Sequence, residues 1–311
     1  MEQQIKMSKW VLKAVVQKGI SLLPYKHRIN YLFQKYVTKG VQLSSLYFED
    51  RLIHLKEHLH FFQKYKGGIS DCHTLELGTG WYPVVPVGLF LTGARRMYTV
   101  DISALMNKAN LCLTLQRYLD WHKSGALQPY LTPLPGRLEM ARQLLTEAET
   151  LSLEQLLERM NLSYLVQDAR HLDLADDSIQ LITSNNTFEH IYPNILREIL
   201  LEFKRILSDD GVMSHFIDMS DHFAHLDRKI SIYHFLRFSE QSWKWIDNDV
   251  QPQNRWRLEQ YRRTYRDLGI EIREEKNRPG EPAVVAMEPI ADQFKVFSLE
   301  ELAISHSYLI S

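Results

Sequence analysis

The stretch 74-TLELGTGWYPVVP-86 decides the fold. An apolar run ends in two glycines spaced G-x-G, Gly78 and Gly80, with Thr79 between them. Glycine lets the backbone pass close to a ligand with no β-carbon in the way. Free amides at the start of a following helix favour polar or anionic ligand groups. A dinucleotide loop carries a third glycine, which lets helix and strand pack behind the pyrophosphate. This chain has Pro83 in that place. Glu76 stands two residues before the first glycine, an acid at the end of an apolar strand. A phosphate would not welcome it, whereas an ammonium would.

Asp101 ends the next strand-like segment, RMYTVDIS, twenty-one residues after Gly80. A carboxylate there can accept hydrogen bonds from both ribose hydroxyls. An ammonium-bearing amino acid joined to a nucleoside satisfies both acids, and S-adenosylmethionine is such a molecule. Further along, LSYLVQDA, IQLITSNN and VMSHFID are strand-like. VVPVGLFLTGA, LMNKANLCLTLQRYLDWHKSG and IYPNILREILLEFKRILSDDG are helix-like and alternate with the strands. Such alternation predicts an α/β fold with a doubly wound, mostly parallel sheet. YRDLGIEIREE and LAISHSYLIS add two strand candidates near the end.

Residues 1–66 read as a helical cap, with helical spacing in RINYLFQKYVTKGV and YFEDRLIHLKEHLHFFQKY. Residues 67–311 form the main domain. About sixty residues separate Asp101 from Tyr164, more than one crossover needs. The excess predicts a helical insertion at about 122–160. Cap and insertion are expected to cover the carboxyl edge of the sheet. A segment at about 219–257, rich in His, Trp, Tyr, Phe and Arg, is expected to line a substrate pocket.

The chain has 311 residues, 45% hydrophobic and 24% charged, and its 37 Lys and Arg nearly balance 38 Asp and Glu. That balance argues against nucleic acid as a partner. Cys72 and Cys112 form no metal or disulfide motif, which predicts a cytoplasmic setting. No apolar run reaches the ~20 residues that span a bilayer, so no stable membrane insertion is expected. Oligomeric state is not legible.

The ordered set LELGTGWYP, YTVDIS and VQDARHLDLADDSIQLITSNNTFEHI resembles the class I S-adenosylmethionine-dependent methyltransferases. The resemblance covers about residues 70–217. It implies a seven-stranded Rossmann-like sheet, S-adenosylmethionine as cofactor and S-adenosylhomocysteine as product. It also implies cofactor-binding roles for Glu76, Gly78, Thr79, Gly80, Asp101 and Ile102, for Asp168 and Ala169 near the adenine, and for Asn185 and Asn186. Stand-alone enzymes of this look occur in secondary-metabolite pathways, including peptide–polyketide pathways of the microcystin type. By that analogy the acceptor is a small or mid-sized molecule methylated on a hydroxyl.

A hydroxyl nucleophile needs a base or a metal to take its proton. His190 follows the fourth strand. Asp218, Asp221, His222 and His225 share one face if IDMSDHFAHLD is helical. His190, His222 and His225 are therefore the catalytic candidates, and no metal site is expected. N- or C-methylation in lipid, quinone or sugar metabolism fits the same cofactor motifs. So does a non-catalytic cofactor-binding scaffold.

Overall fold

The computed structural model describes residues 8–23 and 42–311. The helix expected over RINYLFQKYVTKGV lies outside them. The chain divides into two compact units. One comprises Gln42–Thr187, Arg197–Phe216 and Leu309–Ser311, and the other Met1–Val41, Phe188–Leu196 and Ile217–Tyr308.

Helix α1 (Lys9–Ser21) buries Ala14, Gln17 and Ile20, one face at three-residue spacing. Helix α2 (Ser45–Tyr65) starts where the Ser44 hydroxyl accepts the Tyr47 amide. Its buried stripe holds Phe48, Leu52, Leu55 and Phe62, and also the polar His58. After it come β1 (His73–Leu77), α3 (Val84–Leu91), β2 (Arg96–Asp101) and α4 (Lys108–Ser124). Every residue of α3 is buried, as expected of a helix packed behind a sheet. Two helices, α5 (Pro135–Thr146) and α6 (Leu153–Arg159), precede β3 (Leu162–Val166) and β4 (Ile179–Asn185). Then follow α7 (Pro193–Ile206), β5 (Leu207–Asp218), α8 (Glu240–Ile246), α9 (Leu258–Asp267) and β6 (Glu274–Arg278). The short helices α10 (Pro282–Ala286) and α11 (Leu299–Ala303) lead to β7 (His306–Ile310).

The seven strands form one sheet in the order β3-β2-β1-β4-β5-β7-β6. The pairs β3–β2, β2–β1, β1–β4 and β4–β5 are parallel. Met213 and Ser311 exchange both backbone hydrogen bonds at 3.0 Å, the signature of an antiparallel pair. The fold is thus a mostly parallel, Rossmann-like α/β sheet with flanking helices. Its order reverses between β1 and β4, the switch point where such sheets bind ligands. Leu77 pairs with Ser184 in register, so Gly78, just past the end of β1, lies beside Asn185, the last residue of β4.

Three expectations need correction. The insertion does form two helices, but α5 does not cover the carboxyl edge. The Leu134 amide donates to Leu91 O at 2.9 Å and Arg137 donates to Ala94 O at 3.3 Å, so its start packs where α3 ends and β2 begins. Next, YRDLGIEIREE is not a strand throughout. Tyr261, Thr264 and Tyr265 are buried at helical spacing, Gly269 turns the chain at φ +60°, and the strand begins only at Glu274. Finally, residues 219–231 are turns rather than a helix. Carboxylates of Asp218, Asp221 and Asp227 accept the amides of Ser220, Phe223 and Lys229. Each bond holds the backbone two residues on in a turn and competes with helix formation.

Candidate active site

The cofactor candidates gather in the first unit. Gly78 has φ +85° and Gly80 φ +63°, conformations that glycine adopts without cost. A β-carbon on Gly78 would lie 2.4 Å from Thr187 Oγ1, whereas one on Gly80 would meet open space. Glu76 is buried, and burial pushes its carboxyl up to about 8 against the opposing pull of Arg51, Asn185 and Thr99. A buried acid that is neutral near pH 7 is poised to ionise when a cation arrives beside it. Thr99 reaches toward Glu76 at 3.5 Å and meets Thr79 at 2.5 Å.

Asp101 accepts the Gly80 amide at 3.1 Å and the Ser103 amide at 3.2 Å, which ties the glycine loop to the end of β2. Ile102 beside it is 72% exposed, an apolar surface suited to a flat ring. Asp168 is gripped by Arg170, whose Nη2 lies 2.6 Å from Oδ2 and whose Nε lies 3.0 Å from Oδ1. Arg170 also reaches Glu198 at 3.0 Å, and the grip of Arg170 holds the Asp168 carboxyl below its usual range. Ala169 is buried. Asn185 is buried with its Nδ2 lacking an aligned acceptor, and Asn186 turns the chain at φ +50°. Tyr82, one of two bulky residues after the loop, packs edge-on against Tyr47 of α2. Trp81 instead has its carbonyl held by Asn110 at 2.9 Å.

The catalytic candidates gather in the second unit. His190 ends a single 3₁₀ turn, Phe188–His190, and its Nδ1 lies 2.7 Å from the Pro252 carbonyl. A carbonyl only accepts, so Nδ1 carries the proton. Burial, then the neighbouring His222, pulls His190 down to about 4, so the ring is neutral and Nε2 keeps its lone pair. The His190 and His222 ring centroids are 4.8 Å apart, and those of His222 and His225 5.4 Å. His222 Nε2 faces Asp218 at 3.3 Å. Desolvation raises that carboxyl, but His222 and His306 beside it and its bond from Ser220 together hold it far below its usual range. His222 also lines a small crevice with Lys13, Gln17, Trp243 and Gln253.

Glu189, His190 and His222 offer ligand atoms within 4.8 Å of one another. One carboxylate and two imidazoles are groups that handle protons and are also the ligand types of a transition-metal site.

Residues 124–214 match the family model described as a methyltransferase domain.

The chain carries a methyltransferase domain.

That match begins beyond the glycine loop, so the cofactor cradle is read from the geometry above. The buried acid, open glycine turn, amide-anchored Asp101 and exposed Ile102 fit S-adenosylmethionine, the cofactor of this methyltransferase. Among solved structures, the geranyl diphosphate C-methyltransferase of Streptomyces coelicolor A3(2) is similar at 12% identity and TM-score 0.46, over 88% of each chain. A candidate sarcosine dimethylglycine methyltransferase from Galdieria sulphuraria gives 13% and 0.45, over 84% of each chain. Phosphoethanolamine N-methyltransferase 2 of Haemonchus contortus gives 12% and 0.43, over 82% of this chain and 51% of that one. Likenesses this loose say nothing about the acceptor. No curated protein matches the chain. Among the described residues, no helix is long and apolar enough to cross a membrane.

Some residues of the site carry little or no signal in the sequence. Glu189 enters the histidine cluster because the 3₁₀ turn buries it. Asn254 locks that turn by donating to Phe188 O at 2.8 Å and Ile191 O at 2.9 Å. His58 reaches Asn185, and its one signal in the sequence is a polar residue on the apolar stripe of α2. Conversely, two arginines of the expected pocket segment serve the fold. Arg257 is wholly buried and donates to the carbonyls of Met219, Leu302 and Ile304. Arg255 donates to Phe235 O and Phe238 O and stacks on Trp243.

Proposed function

We propose that this methyltransferase methylates a hydroxyl of a small or mid-sized metabolite in the cytoplasm, a polyketide or peptide–polyketide product being the class its sequence suggests. The supporting observation is the neutral imidazole of His190, whose Nδ1 proton is committed to the Pro252 carbonyl while Nε2 stays free to accept one. A hydroxyl is a poor nucleophile until its proton leaves, and a neutral, oriented histidine is the usual acceptor. His222 stands between His190 and the ionised Asp218, and it is the Asp218 carboxylate whose charge favours the imidazolium that results.

Bound S-adenosylmethionine supplies an electrophilic methyl group on a sulfonium. Glu76 would hold its ammonium, Asp101 its ribose, Ile102 and Ala169 its adenine face and Asp168 the adenine amino group. Asn185 and the backbone of Thr79 and Asn186 would line the amino-acid end. The protein's remaining task is to align the acceptor oxygen and remove its proton, and alignment supplies much of the acceleration. His225, stacked on His222, completes the cluster.

Calorimetric titration with S-adenosylmethionine tests the cofactor reading, and no heat of binding would sink it. Methyl transfer from labelled cofactor to a panel of phenols, aliphatic alcohols, amines and activated methylenes tests the acceptor. Products on alcohols or phenols support the proposal, and products only on amines or carbon overturn it.

A further inference from the structure

His58 connects α2 to the cofactor end of the sheet through a chain of buried hydrogen bonds. The residue is fully buried. Its Nδ1 lies 2.7 Å from Ser214 Oγ and its Nε2 3.0 Å from Asn185 Oδ1. Burial pulls the imidazole down to about 3, so it is neutral and has one donor and one acceptor. The amide oxygen of Asn185 can only accept, so His58 Nε2 donates to it. His58 Nδ1 then accepts a hydrogen bond from the Ser214 hydroxyl.

This assignment fixes the Asn185 amide. Its oxygen is engaged by His58, so its nitrogen must face the other way. Glu76 pairs in register with Thr183, so Asn185, two residues further along β4, shares its face of the sheet, and the amide there favours that carboxyl's charged form. The same orientation is required from both ends, since a carboxylate wants a donor and His58 Nε2–H wants an acceptor. Asn185 is 6% exposed, and its Nδ2 has no aligned acceptor among the described residues. A buried donor left without one is costly, and a ligand carboxylate or an ionised Glu76 would supply the missing acceptor.

We infer that His58 is a positioning residue for the amino-acid end of the cofactor, holding the Asn185 amide so that its nitrogen, not its oxygen, faces Glu76 and the bound ligand. The inference rests on the S-adenosylmethionine reading of this site. Without His58 the amide is free to turn its oxygen toward Glu76 and repel the carboxylate that the ammonium needs. The other groups acting on Glu76 are Thr99, by hydrogen bond, and Arg51, Asp101 and Tyr118, by charge.

Two probes separate positioning from general damage. S-adenosylhomocysteine carries the amino-acid end, and adenosine lacks it. In His58→Phe the affinity for S-adenosylhomocysteine should fall roughly tenfold, while that for adenosine stays within about twofold. His58→Gln can place an amide N–H where imidazole Nε2 stands, and should recover to within about threefold of the parent. Ser214→Ala leaves the imidazole in place but releases its tautomer. It should weaken S-adenosylhomocysteine about threefold without touching adenosine, and it serves if His58→Phe does not fold. Equal losses for both probes, or undiminished S-adenosylhomocysteine affinity in His58→Phe or Ser214→Ala, would overturn the inference. Failure of the parent protein to bind either probe would remove the cofactor reading first.

Discussion

The glycine loop after β1 and the histidine segment around 190 and 222 are built in opposite ways. The loop is a short turn between two regular elements, with its ligands fixed by strand register and two positive-φ glycines. The histidine segment is irregular. Its geometry comes from side chains gripping backbone, through Asp218, Asp221 and Asp227 within the turns and Asn254 across to the 3₁₀ turn. The first kind of site needs few residues and tolerates change around it. The second depends on many polar contacts at once, so its chemistry is easier to lose without unfolding the chain.

The largest expected effect therefore falls on the histidines. His190→Ala should lower turnover by ~10²–10⁴-fold while leaving cofactor affinity unchanged, as read by steady-state rates and calorimetry. Because His190 is neutral above about pH 4, it should contribute no acid limb to the rate profile between pH 5 and 8. Undiminished turnover in both His190→Ala and His222→Ala would remove the cluster from the mechanism and break the comparison.

Glu76→Gln should weaken S-adenosylhomocysteine by roughly 10–100-fold, since an amide cannot answer the ammonium with a charge. Its effect on the ligand-free protein runs the other way. The Glu76 carboxyl is raised from 4.5 to about 8 on folding. The stability of its neutral form is present below the unfolded value and lost as pH rises through the folded one. Ligand-free parent and Glu76→Gln should therefore melt alike near pH 4.5, with the variant higher by several degrees at pH 8. Thermal melts at the two pH values check this, and a parent that gains on the variant with rising pH would refute the buried-acid account.

The two glycines sharpen the contrast within the loop itself. Gly78→Ala drives a β-carbon to 2.4 Å from Thr187 Oγ1 in a strained φ, and should cost about 2–3 kcal/mol in a denaturant titration. Gly80→Ala meets no protein atom and carries only the left-handed penalty of about 1 kcal/mol. Its new methyl stands in the open space of the loop, so it should lose cofactor affinity with nearly normal stability.

These differences also explain what could be read in the sequence. Glu76, the glycine pair and Asp101 were legible because apolar periodicity places strands, and a strand end places the next residues. The parallel sheet followed from the same periodicity. His222 and His225 do come together, but not through the helical face that their spacing suggests. Spacing of i, i+3, i+4 and i+7 cannot reveal that each aspartate holds a turn instead. Glu189 was invisible and His58 showed only as a polar residue on an apolar stripe, because their roles depend on tertiary burial of polar atoms, which no local pattern spells out. Arg255 and Arg257 misled for the same reason, since a buried arginine serving carbonyls and one lining a pocket look alike in sequence.

The smallest expected effect concerns Asp168, the most exposed of the cofactor acids. Its side chain is 40% exposed and already paired with Arg170. A surface ion pair of this kind contributes about 0–1 kcal/mol, so Asp168→Asn should hardly change stability. Its proposed role is to accept a hydrogen bond from the adenine amino group, and that role has a specific signature. Adenosine presents an amino donor where inosine presents a carbonyl, so the parent should prefer adenosine by about fivefold, within the range of one hydrogen bond. The side-chain amide in Asp168→Asn can turn to donate as readily as accept. The preference should then collapse toward unity while affinity for adenosine drops only about two- to threefold. Competition binding with the two nucleosides measures it. An unchanged preference in Asp168→Asn would mean that the carboxylate serves only Arg170, and that the adenine end is recognised by Asp101, Ile102 and shape alone.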